Sequence, residues 1–210
     1  MTRRRIWLLI AVLAVGGLYY AGWVMRPDGP RNHRVFDADR LADLEVEMWK
    51  AYYAKARVRL FRLLVVSLHE QYRYPWAPAT RAGFYFARAA GRFGDLREGY
   101  EIVLPDLEKA YAIGKAWTDA RYDPAAVARA ELAWWVARRV PGQNSPEQVG
   151  ALMADLNALV YDAPRDRVLE ASILRARAGR LRDDGGEKAD WAAVSQLLHE
   201  SYRSLSKALN

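Results

Sequence analysis

The feature that most constrains this chain is an uncharged stretch near its beginning. Residues 6–25 read IWLLIAVLAVGGLYYAGWVM and contain no Asp, Glu, Lys, Arg or His. An α-helix rises about 1.5 Å per residue, so a helix of this length spans roughly 30 Å, the thickness of the hydrocarbon core of a bilayer. The stretch therefore predicts a transmembrane helix over residues 6–25, with membrane lipid as its partner.

The residues before this stretch predict its orientation. Arg3, Arg4 and Arg5 precede it, and basic residues are enriched on the cytoplasmic side of a membrane. We therefore expect a basic cytoplasmic tip over residues 1–5 and the main domain on the opposite side. The abundance of Arg and Ala is typical of a GC-rich bacterial genome. The expected location is thus a bacterial inner membrane, with a periplasmic or otherwise extracytoplasmic domain.

A cleaved signal peptide is the alternative interpretation of the same stretch. The small residues Ala14, Val15 and Gly16 offer a cleavage site. Cleavage there would leave a short apolar core and a mature chain that begins with apolar residues. The apolar core of a typical signal peptide is shorter than this run. We therefore favour an uncleaved, single-pass anchor.

The remaining sequence predicts a linker followed by one domain. Residues 26–36 hold two Pro, a Gly and several charged residues, a composition typical of a linker. Residues 37–210 fall within the usual size of a single domain, and the 52% content of hydrophobic residues indicates a folded chain. The chain has no Cys, which excludes disulfides, thiol catalysis and a lipoprotein signal.

Apolar residues in this domain recur at spacings of three and four, and no segment alternates as a strand would. The pattern predicts an all-α domain of about seven helices, arranged as a bundle or as an array of helix hairpins. The first of them is predicted as a single long helix over residues 37–72, capped by Asp37 or Asp39. Later starts are marked by Asp123 before Pro124, by the capping box at Ser145 and by Asp190.

The sequence lacks the motifs of well-known catalytic and nucleotide-binding sites. It has no phosphate-binding loop, no dinucleotide-binding glycine motif and no nucleophile elbow. His33, His69 and His199 lie far apart, and no Glu stands three positions before a His, as a di-iron carboxylate site requires. We therefore predict no metal site and no cofactor, single out no catalytic residue, and favour a role other than catalysis.

The net charge of +7 does not predict binding to nucleic acid. Three of the positive charges are Arg3, Arg4 and Arg5, which belong to the membrane signal. The other basic residues are scattered among Asp and Glu without a long run of like charges. We expect no nucleic-acid partner.

Two Glu residues occupy positions that the helical pattern assigns to apolar faces. Glu45 lies one turn from apolar residues on either side, and Glu131 lies in the largely apolar segment ARAELAWWVARR. A buried carboxylate without a partner is costly, so each should meet an Arg, a Tyr or a ligand. The candidate partners are Arg59, Arg81, Arg88, Tyr52, Tyr53 and Tyr111.

Two interpretations of these carboxylates remain open. In the first, Glu–Arg or Glu–Tyr contacts fix how the helices pack. In the second, the carboxylates belong to a pocket that binds a small molecule or performs acid–base chemistry. The candidate residues of that pocket are Glu45, Trp49, Tyr52, Glu131 and Trp134. The two interpretations differ in whether Glu45 and Glu131 face each other across a cavity or are closed by Arg side chains.

The anchor and the absence of catalytic motifs predict a role in interaction. We expect an accessory or assembly subunit at the outer face of the inner membrane, whose partner is another protein of a membrane or envelope complex. The alternative is a membrane-tethered enzyme or ligand-binding helical bundle that uses the buried carboxylates.

Overall fold

The computed structural model describes residues 3–26 and 31–210. Every regular element in these two ranges is a helix, which confirms the all-α prediction. The helices are α1 (Arg3–Met25), α2 (Ala38–Tyr53), α3 (Arg57–Tyr72), α4 (Trp76–Asp95), α5 (Leu104–Trp117), α6 (Pro124–Ala137), α7 (Pro146–Tyr161), α8 (Arg165–Gly185) and α9 (Trp191–Leu209), with 3-10 turns at Tyr100–Val103 and Gly186–Lys188.

Helix α1 is long and apolar enough to cross a membrane. The window Arg5–Gly22 has a mean hydropathy of 1.6, and none of it is buried inside the structure. A core helix of a soluble domain would be mostly buried, whereas a signal sequence also meets this criterion of length and apolar composition. Residues 1 and 2 of the expected tip and residues 27–30 of the expected linker lie outside the described residues.

The prediction of one long helix over residues 37–72 is wrong. The chain breaks between α2 and α3, where Lys55 adopts a left-handed backbone conformation with φ of 53°. This conformation turns α3 back against α2. No Gly or Pro marks the turn, so the sequence carries only a gap in its apolar periodicity there. The described domain consequently has eight α-helices after α1 instead of about seven.

The predicted helix starts are confirmed by their capping contacts. The Asp37, Asp123 and Asp190 carboxylates each accept hydrogen bonds from two backbone N–H groups at the first turn of α2, α6 and α9. Ser145 forms a reciprocal capping box with Gln148 at the start of α7. Each cap satisfies backbone donors that the helix itself leaves unpaired.

The eight helices α2 to α9 form a closed ring. Each packs against the next one in sequence, as short connections between antiparallel helices require, and α9 also packs against α2. The buried apolar residues form separate clusters between neighbouring helices around the ring. There are five such clusters among the described residues. Each is represented by one almost fully buried residue: Ala79, Leu107, Met153, Val168 or Leu198.

Gly150 lets α7 and α8 approach closely. A Cβ atom on Gly150 would lie 2.7 Å from the Ile173 Cα atom, so the α8 backbone would have to move. We expect Gly150→Ala to lower the free energy of unfolding by about 1–3 kcal/mol. Gly91 of α4 is the matched control, because its nearest neighbour would be 4.0 Å away; Gly91→Ala should stabilise by about 0.5–1 kcal/mol.

Urea denaturation of both glycine variants measures the difference. Equal effects of Gly150→Ala and Gly91→Ala would contradict the close packing of α7 on α8.

Candidate functional site

The helical ring surrounds a partly open cavity of about 630 Å³. This volume lies within the range of small-molecule sites, about 300–1,000 Å³. All eight helices of the ring contribute to the wall. One lining residue from each, in the order α2 to α9, is Trp49, Tyr72, Phe86, Tyr111, Trp134, Tyr161, Arg175 and Tyr202.

The structure brings all five candidate pocket residues to this one cavity. Glu45, Trp49 and Tyr52 line it from α2, while Glu131 and Trp134 line it from α6. The periodicity of each helix separately placed these residues on inner faces. Only the ring brings the two inner faces to a shared space. Their role in binding a ligand stays a prediction.

Glu45 belongs to an ion pair in the cavity wall. Its side chain is only 4% exposed. The Arg175 Nε atom donates to Glu45 Oε1 at 2.9 Å, and the Trp49 indole Nε1 donates to the same oxygen at 3.0 Å. A second guanidinium nitrogen of Arg175 and the Tyr202 hydroxyl also donate to this carboxylate. Burial alone would lower the pKa of Arg175, but the adjacent Glu45 carboxylate raises it, so Arg175 stays a cation.

Glu131 has hydrogen-bond donors but no ion pair. The Tyr111 hydroxyl donates to Glu131 Oε2 at 2.8 Å, and the Trp135 indole Nε1 donates to Oε1 at 2.8 Å. Burial raises the pKa of Glu131, while the charge of Arg175 and these hydrogen bonds partly oppose the rise. The Trp134 indole N–H adds a small lowering of the same pKa without reaching hydrogen-bond geometry. Burial therefore makes Glu131 hold a proton more readily than an exposed Glu does.

The raised pKa of Glu131 has a consequence for stability. Because it lies above the ordinary value of 4.5, the contribution of Glu131 to stability is fully present below pH 4.5 and is lost as pH rises through the folded-state pKa. The variant Glu131→Gln lacks this titration. We expect the wild-type chain to lose stability relative to Glu131→Gln as pH rises from about 4 to about 8.

The free energy of unfolding at several pH values measures this effect. Glu108→Gln, at an exposed position of α5, is the control that changes the same charge outside the cavity. A constant difference between the wild type and Glu131→Gln across this pH range would contradict the raised pKa.

Most of the residues proposed as partners of Glu45 and Glu131 do not contact these carboxylates. Arg59 donates to Glu47, and Arg88 pairs with Asp106. Neither they nor Arg81 bonds Glu45 or Glu131. Tyr111 is the one candidate that bonds a predicted carboxylate, Glu131.

The partners that sequence reasoning missed lie at the far end of the chain. Arg175 lies 130 positions from Glu45, and Tyr202 lies 157 positions from it. Arg175 is one of several Arg residues in α8, so no local pattern distinguishes it. Closure of the ring is what brings both residues to Glu45.

His33 also lines the cavity, although the sequence assigns it to the linker. Its Nδ1 atom lies 2.8 Å from Asp119 Oδ1, and its Nε2 atom lies 2.7 Å from the Val160 carbonyl oxygen. Both partners are acceptors, and the tautomer of the ring decides which nitrogen donates. The imidazole stacks on the Tyr161 ring with 5.6 Å between centroids. His33 thus fixes the segment before α2 to the ring.

Among the residues that the structure describes, no three His, Asp or Glu side chains gather as metal ligands would. Comparisons with protein-family models, with curated proteins and with solved structures give no match.

Proposed function

We propose that this chain is a single-pass membrane protein whose helical ring binds a small, largely apolar molecule with a polar group. The central cavity supports this proposal. Protein interiors are close-packed and contain few voids larger than a water molecule, whereas this ring keeps about 630 Å³ open at its centre. A cavity of this size, lined by aromatic rings and three carboxylates, favours a ligand site.

The probe N-phenyl-1-naphthylamine, a neutral fluorophore, tests this proposal on the full chain in lipid nanodiscs. Ala90 of α4 lines the cavity, so Ala90→Trp fills part of it; Ala133→Trp adds the same side chain at an exposed position of α6. We expect saturable binding to the wild type and Ala133→Trp, and at least about tenfold weaker binding to Ala90→Trp. Lipid takes up the same amount of probe in all three samples, so the difference between variants reports the cavity.

The helicity and melting temperature of Ala90→Trp are measured first. Leu64→Trp, which fills the cavity from α3, serves as a second blocking variant should Ala90→Trp unfold. Identical probe binding by the wild type and by a folded, cavity-filled variant would overturn the proposal.

The membrane placement belongs to the same proposal. Helix α1 would anchor the chain in a bacterial inner membrane, with the basic tip in the cytoplasm and the ring in the periplasm. Its apolar window and the preceding arginines support this orientation.

The absence of Cys from the chain makes the orientation testable. We expect Asn210→Cys to react with a membrane-impermeant maleimide in spheroplasts, and Thr2→Cys to react only after lysis. The reverse pattern would contradict the orientation, and a mature chain that lacks the first residues would show that they are a signal peptide.

The interaction role expected from the anchor stays a second candidate. Exposed apolar side chains on the ring favour it, among them Val58, Phe84 and Ile102, with 82%, 48% and 58% exposure. Purification from detergent-solubilised membranes tests it: a reproducible stoichiometric protein partner is expected, and recovery of this chain alone would count against it.

A further inference from the structure

We propose that the molecule held in the cavity is an organic cation, an ammonium group on an apolar body, which binds at Glu131. This inference rests on the proposed ligand-binding function and names the chemical class of the ligand. Three independent observations carry it: the charges of the cavity wall, the arrangement of aromatic rings beside Glu131, and a buried donor that lacks a partner.

Of the carboxylates that line the cavity in the described part of the chain, Glu131 is the one that has no ion pair. Glu45 is paired with Arg175, and Asp183 at the rim is paired with Arg138 at 2.7 Å. Among the described residues no Lys, Arg or His side chain forms an ion pair with Glu131, whose hydrogen bonds come from Tyr and Trp.

Each guanidinium group of the wall already has a partner within the protein. Arg175 and Arg138 form ion pairs with Glu45 and Asp183. Arg139 donates to the carbonyl oxygens of Phe93 and Leu96 at 2.9 and 3.0 Å. Glu131 therefore forms no ion pair with any of these guanidinium groups, and an ammonium group of a ligand would supply the missing cation.

Aromatic side chains lie beside Glu131, because Tyr111 and Trp135 donate to it and further rings pack on these two. Phe86 and Tyr111 meet at an interplanar angle of 87°, and so do Tyr111 and Tyr122. Trp134 and Trp135 meet at 82°. The ring faces that these edge-to-face contacts leave uncovered can attract an ammonium group, as the faces of an aromatic cage do.

Some of these aromatic rings have no protein cation from the described residues over their faces. Arg175 already lies over the Trp134 ring, 4.9 Å from its centroid. No Lys or Arg of the described chain lies over Phe86, Tyr111 or Tyr122. An ammonium group beside Glu131 would therefore meet ring faces that no protein cation occupies.

The third observation is a buried indole N–H. Trp134 is 6% exposed, and its Nε1 atom has no hydrogen-bond partner. Leaving such a donor unsatisfied is unfavourable. A ligand with a hydroxyl or ether oxygen near its ammonium group would supply the acceptor. The ligand class is accordingly an amine that also carries an acceptor.

A pair of matched probes tests the charge of the ligand. 2-Phenoxyethylamine is protonated at pH 7, and 2-phenoxyethanol has nearly the same size and shape and the same ether oxygen but no charge. Their affinities for the full chain in nanodiscs are measured by calorimetry, with Ala90→Trp as the reference for uptake by lipid. We expect the amine to bind about tenfold more tightly than the alcohol.

Glu131→Gln should abolish this preference and leave the affinity for the alcohol within about threefold of the wild-type value. Glu108→Gln removes a carboxylate from an exposed position of α5 and should keep the preference, which controls for general attraction of cations. Glu131→Asp, which retains the charge, should keep part of the preference and shows whether the loss in Glu131→Gln comes from misfolding.

The outcomes separate this inference from the function on which it rests. If both probes bind with equal affinity and Ala90→Trp blocks them, the cavity is a ligand site but the assignment of an organic cation as its ligand is wrong. If neither probe binds and N-phenyl-1-naphthylamine binding is also unaffected by Ala90→Trp, the proposed function itself is wrong. A preference for the amine that persists in Glu131→Gln would overturn the assignment to Glu131.

Discussion

Replacing Arg175 with methionine is expected to lower the free energy of unfolding by about 3–5 kcal/mol. The variant leaves Glu45, whose side chain is 4% exposed, as a buried charge without a cation. The attraction between the two groups offsets their removal from water, and that compensation is lost when one partner is absent. The pair also joins α8 to α2, so its loss should loosen the ring where the last helices meet the first.

Urea denaturation of the Arg175→Met variant measures this effect. Arg180→Met is the matched control, because Arg180 lies on the same helix and pairs with Asp184 at the surface; its effect should stay below about 1 kcal/mol. The double variant Glu45→Gln, Arg175→Met removes both charges and should recover much of the loss. A loss for Arg175→Met no larger than that for Arg180→Met would contradict the role of the pair.

Replacing Leu198 with alanine should have an effect of similar size, about 2–5 kcal/mol. Leu198 is 0% exposed and packs in the cluster that joins α2, α8 and α9, together with Val46 and Val194. Truncation removes apolar contact area and leaves a void that close-packed helices fill only in part. Because α9 contacts α2 here, the variant tests closure of the ring as well as packing.

Leu159→Ala is the control for this truncation, since Leu159 is 41% exposed on α7 and loses the same atoms at the surface. We expect an effect below about 1 kcal/mol for Leu159→Ala. The two variants are compared by thermal and urea denaturation. Similar losses in both would mean that the α2–α9 contact contributes little to the fold.

The starts of several helices could be predicted from the sequence because their signals are local. Asp37, Asp123, Ser145 and Asp190 each cap a helix through backbone groups two or three positions away. The inward placement of Glu45 and Glu131 could also be predicted, because helical periodicity assigns each of them to the apolar face of its helix. The identity of that face as the wall of a cavity was not.

The parts that could not be predicted depend on contacts between distant residues or on an unmarked turn. The left-handed conformation of Lys55 ends the first predicted helix early. No Gly or Pro at this turn indicates the break in the sequence. The α2–α9 contact closes the ring, yet nothing in either helix specifies the other. Arg175 resembles the other arginines of α8 until closure places it beside Glu45.

Photoaffinity labelling tests the central claim, that the ring cavity is a ligand site, most directly. The probe is 4-[3-(trifluoromethyl)diazirin-3-yl]benzyl alcohol, applied to the full chain in nanodiscs and located by peptide mass spectrometry. We expect adducts on cavity-lining peptides of α2, α6 and α9, present in Ala133→Trp and suppressed in Ala90→Trp. Adducts confined to α1 and to the outer surface, unchanged by Ala90→Trp, would contradict the claim.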